Sequence, residues 1–128
     1  MWICKNDAFV SIVDKGGKER NGEKCLCVRA RVKDHLKAIF PNEPVIETPR
    51  NDYQFRAFIP VSKVAKAIHD SIMGIDYNNF KNSVENDDLH DAYSDVWSTM
   101  YLMARKKADE KPSRTRGLPW KSYHYNSK

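Results

Sequence analysis

The stretch Cys25-Leu26-Cys27-Val28-Arg29-Ala30-Arg31 alternates strictly. Leu26, Val28 and Ala30 fall on one face; Cys25, Cys27, Arg29 and Arg31 fall on the other. Successive side chains of an extended chain point to opposite sides, so this period of two predicts a β-strand with one face on a core. The other face then carries two arginines.

Working outward, Ala8 to Val13 is a nearly continuous apolar run holding only Ser11, and it predicts a second strand. Residues 14–24 contain Gly16, Gly17 and Gly22 among charges and read as an exposed loop, which leaves the two strands free to form an antiparallel hairpin. Tyr53 to Ile59 alternates again: Tyr53, Phe55, Ala57 and Ile59 face one way, Gln54, Arg56 and Phe58 the other. Pro44 to Thr48 is a short strand candidate, followed by a turn at Pro49-Arg50-Asn51-Asp52. Helical spacing begins at Lys33 to Phe40 and stops at Pro41. Val61, Val64, Ile68, Ile72 and Ile75 form a longer stripe, with Ser62 as the expected cap and Gly74 near its end. Leu89, Tyr93, Val96, Trp97, Met100 and Met103 form another, which predicts packing against the sheet with Tyr101 at the edge. Asp87 and Asp88 at its start, and Arg105, Lys106 and Lys107 at its end, suit the helix dipole. This order predicts an α+β fold: an antiparallel sheet of about four strands with two to three helices on one face.

A chain of 128 residues, 41% hydrophobic, suits one domain. Three cysteines, no apolar leader and no run of about 20 apolar residues predict a reducing, cytoplasmic setting without a membrane span. The formal net charge is +5, and it is unevenly placed. Residues 104–128 hold eight cations and two carboxylates, whereas the first 103 residues hold 14 and 15. The expected organisation is a near-neutral α+β domain over residues 1–107 and a basic, aromatic-containing extension over 108–128.

Met1-Trp2-Ile3, Asp7 to Val13, Val28 to Arg31, Ile39-Phe40-Pro41, Asp52 to Pro60, Asp76 to Lys81 and Leu89 to Trp97 together resemble a family of small bacterial and mobile-element proteins without an assigned activity. The resemblance covers most of residues 1–103 and implies one coherent domain there.

Two groups of residues point to a polyanion. Arg29, Arg31 and Arg56 make a basic sheet face if their strands are neighbours, unless carboxylates such as Glu47 pair with them; Phe58 is the aromatic expected beside them. In the extension, Arg114, Arg116, Trp120, Lys121, Tyr123, His124 and Tyr125 mix cations that neutralise phosphates with rings that stack on bases. The leading expectation is a non-catalytic protein that binds nucleic acid or a nucleoprotein. A protein-binding accessory or inhibitor of mobile-element type is the alternative. A small hydrolase using His90 with Asp87, Asp88 or Asp91 is the third. The chain has no Gly-rich phosphate loop, nucleophile elbow or paired Cys-x-x-Cys, so no cofactor or metal is expected. Cys25 and Cys27 would need further ligands, such as Cys4 or His35, to hold a metal. They read as small apolar residues. His69-Asp70 and His90-Asp91 are helix neighbours that diverge by about 100°, and surface roles are expected for both.

Overall fold

The alternation at residues 25–31 becomes the centre of the sheet. The computed structural model describes residues 1–110. Its strands are β1 (Trp2–Lys5), β2 (Ala8–Val13), β3 (Glu19–Arg20), β4 (Glu23–Ala30), β5 (Ile46–Glu47) and β6 (Phe55–Pro60); its helices are α1 (Lys33–Ile39), α2 (Val61–Met73), α3 (Phe80–Ser83) and α4 (Asp87–Asp109). The sheet is antiparallel, ordered β1-β2-β4-β6-β5, with β3 paired to β4 off this path. The chain divides into two units, Met1–Asp91 and Ala92–Lys128, and the boundary lies within α4. The whole sheet belongs to the first unit.

The α+β class holds. Val10 and Ile12 from β2, Val28 and Ala30 from β4, and Ala57 and Ile59 from β6 form one face of the sheet, buried with Leu36 and Phe40 at α1 and Val64 of α2. The 2.0 and 3.6 periods thus meet in a single core. Burying each of the Val, Ile, Leu and Phe side chains contributes roughly 1.5–3 kcal/mol relative to leaving it in water, and each alanine methyl less. No described helix is long and apolar enough to cross a membrane.

Several details differ from the sequence expectations. β1 is an added edge strand, joined to β2 by the two-residue turn Asn6-Asp7. The expected loop at 14–24 contains β3, closed onto β4 by Asn21-Gly22. Asn21 and Gly22 have φ of 56° and 76°, the pair of left-handed conformations that a tight hairpin turn of this twist requires. The 44–48 strand shrinks to two residues. Tyr53 lies before β6 rather than in it, and it turns to the arginine side. Ser62 does not cap α2: Pro60 holds the cap position, and the Glu23 carboxylate accepts from the Ser62 amide and hydroxyl instead. Those hydrogen bonds hold the Glu23 carboxyl below its ordinary range. On α2, Val64 is buried but Ile72 is exposed, as is Ile75 just past the helix end.

Glu43 clamps the core side. Its buried carboxylate accepts from Arg20 Nη2 at 3.0 and 3.2 Å and from Lys63 Nζ at 2.8 Å, while Lys37 Nζ donates to its carbonyl at 3.0 Å. One residue thereby ties β3, α1 and α2 together. Burial pushes the carboxyl up, but the hydrogen bonds from Lys63 and Arg20 outweigh it and leave it below the usual glutamate value. A depressed folded-state pKa gives stability that is complete above the unfolded-state value and lost as pH falls through the folded one. Glu43→Gln is expected to lower stability at neutral pH by about 1–3 kcal/mol. Urea unfolding should show that difference narrowing as the pH drops below about 4.

Candidate anion-binding face

The face opposite the α1–α2 core carries a row of residues in direct cross-strand register: Trp2, Ser11, Arg29, Arg56 and Ile46. β4 and β6 put Arg29 and Arg56 side by side because Val28 and Ala57, their neighbours in sequence, are committed to the core. Like charges directly opposite on a sheet destabilise it, so this pairing needs a reason.

The surroundings soften the charge only in part. Arg29 Nη2 donates to Ser11 Oγ at 2.8 Å, and its guanidinium lies 4.4 Å from the centre of the Tyr53 ring. Arg56 Nη2 donates to the Tyr53 carbonyl at 3.2 Å. The Nε of each arginine is buried and has no hydrogen-bond partner among the described residues. Neither guanidinium is ion-paired to a described carboxylate. The expected cross-strand partner, Glu47, stands opposite Phe55 instead, one register position away from the arginine row.

Arg31 departs from the expected trio. It lies just past the end of β4 and makes a two-pronged contact with Asp52, at 3.0 and 3.1 Å from Nη2. Those hydrogen bonds raise its pKa further above the ordinary arginine value. Its guanidinium also lies 4.3 Å from the Tyr53 ring centre. Tyr53, buried, therefore fixes both Arg29 and Arg31, and Arg31 consumes the one carboxylate nearby. Lys15, Arg29, Arg50, Asn51, Asp52, Tyr53 and Arg56 line a depression of about 530 Å³. Four cations face one carboxylate there, and Arg31 already holds that carboxylate.

Lys15, Arg50 and Trp2 were not among the expected site residues. Lys15 and Arg50 lie in loops, where periodicity carries no information. Trp2 had a usable signal: apolar residues on both sides of Asn6-Asp7 suggest a hairpin, and a hairpin in that register sets Trp2 beside Ser11. Trp2 is 68% exposed and meets Phe9 edge-on at 5.8 Å between ring centres. Phe58, the ring expected here, lies opposite Cys27 with Lys18 Nζ 5.3 Å from its centre.

The remaining candidates do not join the arginine row. Cys25 and Cys27 are buried, and burial pushes the Cys27 thiol up despite the nearby Arg56 and Arg29 charges, which keeps it protonated. His69 Nδ1 sits 3.1 Å from Asp70 and His90 Nδ1 sits 3.6 Å from Asp91, closer than helix neighbours were expected to come. Both carboxylates are well exposed, at 56% and 83%, and water competes with any orienting role. No group of three or more potential metal ligands occurs among the described residues. Arg114, Arg116, Trp120, Lys121, Tyr123 and Tyr125 lie outside the described residues. No family model, curated protein or solved structure matches the chain.

The arginine row carries a stability cost that substitution should release. Arg56→Thr keeps a good strand former, removes one of two opposed charges and removes a buried donor without a partner. It is expected to stabilise the folded domain by about 0.5–1 kcal/mol. A higher urea midpoint at unchanged slope is the confirming result, and a lower one means the charge is compensated in the folded domain.

Proposed function

We propose that this protein is a non-catalytic binding module for nucleic acid or a nucleoprotein, engaging the phosphate backbone through Arg29 and Arg56. The observation that supports it is the pair of opposed arginines, each with a buried Nε and, among the described residues, neither an acceptor for that Nε nor a carboxylate of its own. A phosphate seated between them would accept from both forks and cancel the repulsion. Lys15 and Arg50 would extend the positive surface. Trp2, two strands away in the same row, offers a ring on which an unpaired base could stack. Arg31 holds Tyr53 in place rather than meeting ligand. The cations Arg114, Arg116 and Lys121 would add attraction, with Trp120, Tyr123 and Tyr125 as further stacking groups.

Fluorescence anisotropy with labelled single-stranded and duplex oligonucleotides tests this reading. Affinity should fall steeply between about 50 and 200 mM salt, with little dependence on base sequence. Arg29→Gln with Arg56→Gln should reduce the log–log salt slope by about 1.4–1.8, because each lost phosphate contact removes roughly 0.7–0.9. Neutralising Arg114, Arg116 and Lys121 in the full chain should lower it further. Absence of binding at low salt, or an unchanged slope in the double variant, rejects the reading. A protein-binding accessory of mobile-element type is the second reading, favoured by the exposed apolar residues of α4. A nuclease-treated pull-down that retains a stoichiometric protein partner would support it over the first.

A further inference from the structure

β1 sets its side chains by the same rule as β4. Ile3 packs against the core, so Trp2, its neighbour in sequence, points to the arginine face. There it is 68% exposed and adds little to the core. Phe9 on β2 meets its ring edge-on, with 5.8 Å between centres, and braces it. So exposed a ring keeps a flat side open to solvent.

The ring and the cations lie on one line across the strands. Adjacent strands run about 5 Å apart, which sets the Trp2 backbone about 10 Å from Arg29 and about 14 Å from Arg56 along the row. Arg29 narrows that gap, because its Nη2 reaches toward β2 and donates to Ser11 Oγ at 2.8 Å. The face therefore has an aromatic end and a cationic end. At the cationic end, Lys15, Arg29, Arg50 and Arg56 line one depression. The whole row is as long as about four nucleotides at the roughly 3.4 Å rise of a stacked strand.

Duplex and single strand would use such a face differently. A duplex carries one charge per about 1.7 Å of axis, twice the density of either strand, so a face of cations alone favours the duplex. Within a duplex, however, the flat sides of each base are covered by its neighbours. Bringing one to Trp2 means unpairing and unstacking it, which costs about what the new stack returns. In a single strand the base is already open, and a stack on Trp2 adds roughly 5- to 150-fold in affinity.

We propose that the ligand of this face is single-stranded nucleic acid, laid across β1, β2, β4 and β6 with a base stacked on Trp2 and phosphates at Arg29 and Arg56. The inference rests on the phosphate-binding reading of the arginine pair; it adds the form of the nucleic acid and the residue that selects it. Trp2 is the selecting residue. Arg29 and Arg56 attract either form, and only the ring tells them apart.

Fluorescence anisotropy on the full chain at about 50 mM salt tests the proposal. The probes are labelled oligothymidylates of about 4 and about 16 nucleotides, and a duplex of the longer length. The wild type should bind the single strand more tightly than the duplex. Trp2→Ala should lower single-strand affinity roughly 5- to 150-fold, leave duplex affinity within about two-fold and so narrow or reverse the preference. The same loss should already appear with the shortest probe, and Trp2→Phe, which keeps a ring, should recover most of it. Circular dichroism and the urea midpoint should not change, because Trp2 is exposed. Equal losses on both forms would mean that Trp2 only shapes the face, and would overturn the inference. So would an unchanged single-strand affinity, or a wild type that prefers the duplex; in each of these cases the phosphate-binding reading still stands. Absence of binding to either form rejects that reading and this inference together.

Discussion

β4 is hydrogen-bonded along both edges, to β2 on one side and β6 on the other. That double pairing leaves its side chains no freedom to choose a face. With Val28 and Ala30 fully buried against the helices, Arg29 must point the other way. A one-residue slip would put an arginine in the core and a valine outside, which the burial free energy forbids. The same constraint passes through the ladder to its neighbours. It aligns Ser11 and Arg56 with Arg29, and through β2 it brings Trp2 into the row.

The consequence is a face that works against the stability of the domain that makes it. Two guanidiniums stand opposed across adjacent strands, with buried Nε groups that find no acceptor among the described residues. A tyrosine ring, a serine hydroxyl and a main-chain carbonyl moderate the repulsion without neutralising it. The Glu43 cluster on the core side shows the contrast. There, a buried charge is matched by two cations, and the result ties three elements together. Local departures of the first kind, where a fold keeps a cost it could remove by a single substitution, are found where a ligand supplies the missing partner. That physical argument is why the arginine row, rather than the histidine–aspartate pairs, anchors the functional proposal.

α4 illustrates how a periodic pattern can be read correctly for structure and incorrectly for partner. Its stripe predicted an amphipathic helix, and the helix is there. The stripe also predicted burial, and beyond Tyr93 the burial is not found. Periodicity states that a face is apolar; it does not state what lies against it.

The class of fold, the strands around residues 8–13, 23–30 and 55–60, and the membership of Arg29 and Arg56 on a non-core face were legible in the sequence, because alternation and helical spacing are local consequences of backbone geometry. Even the two hairpins that were missed left local marks, in Asn6-Asp7 and Asn21-Gly22. Other features had no local mark. That Arg29 stands opposite Arg56, that Arg31 is claimed by Asp52, that Tyr53 turns from the core toward the arginines, and that Glu23 holds the start of α2 from 39 residues away were decided only by the tertiary structure. Each depends on which strands become neighbours and in what register, and that is set by the packing of the whole core rather than by any short stretch of chain.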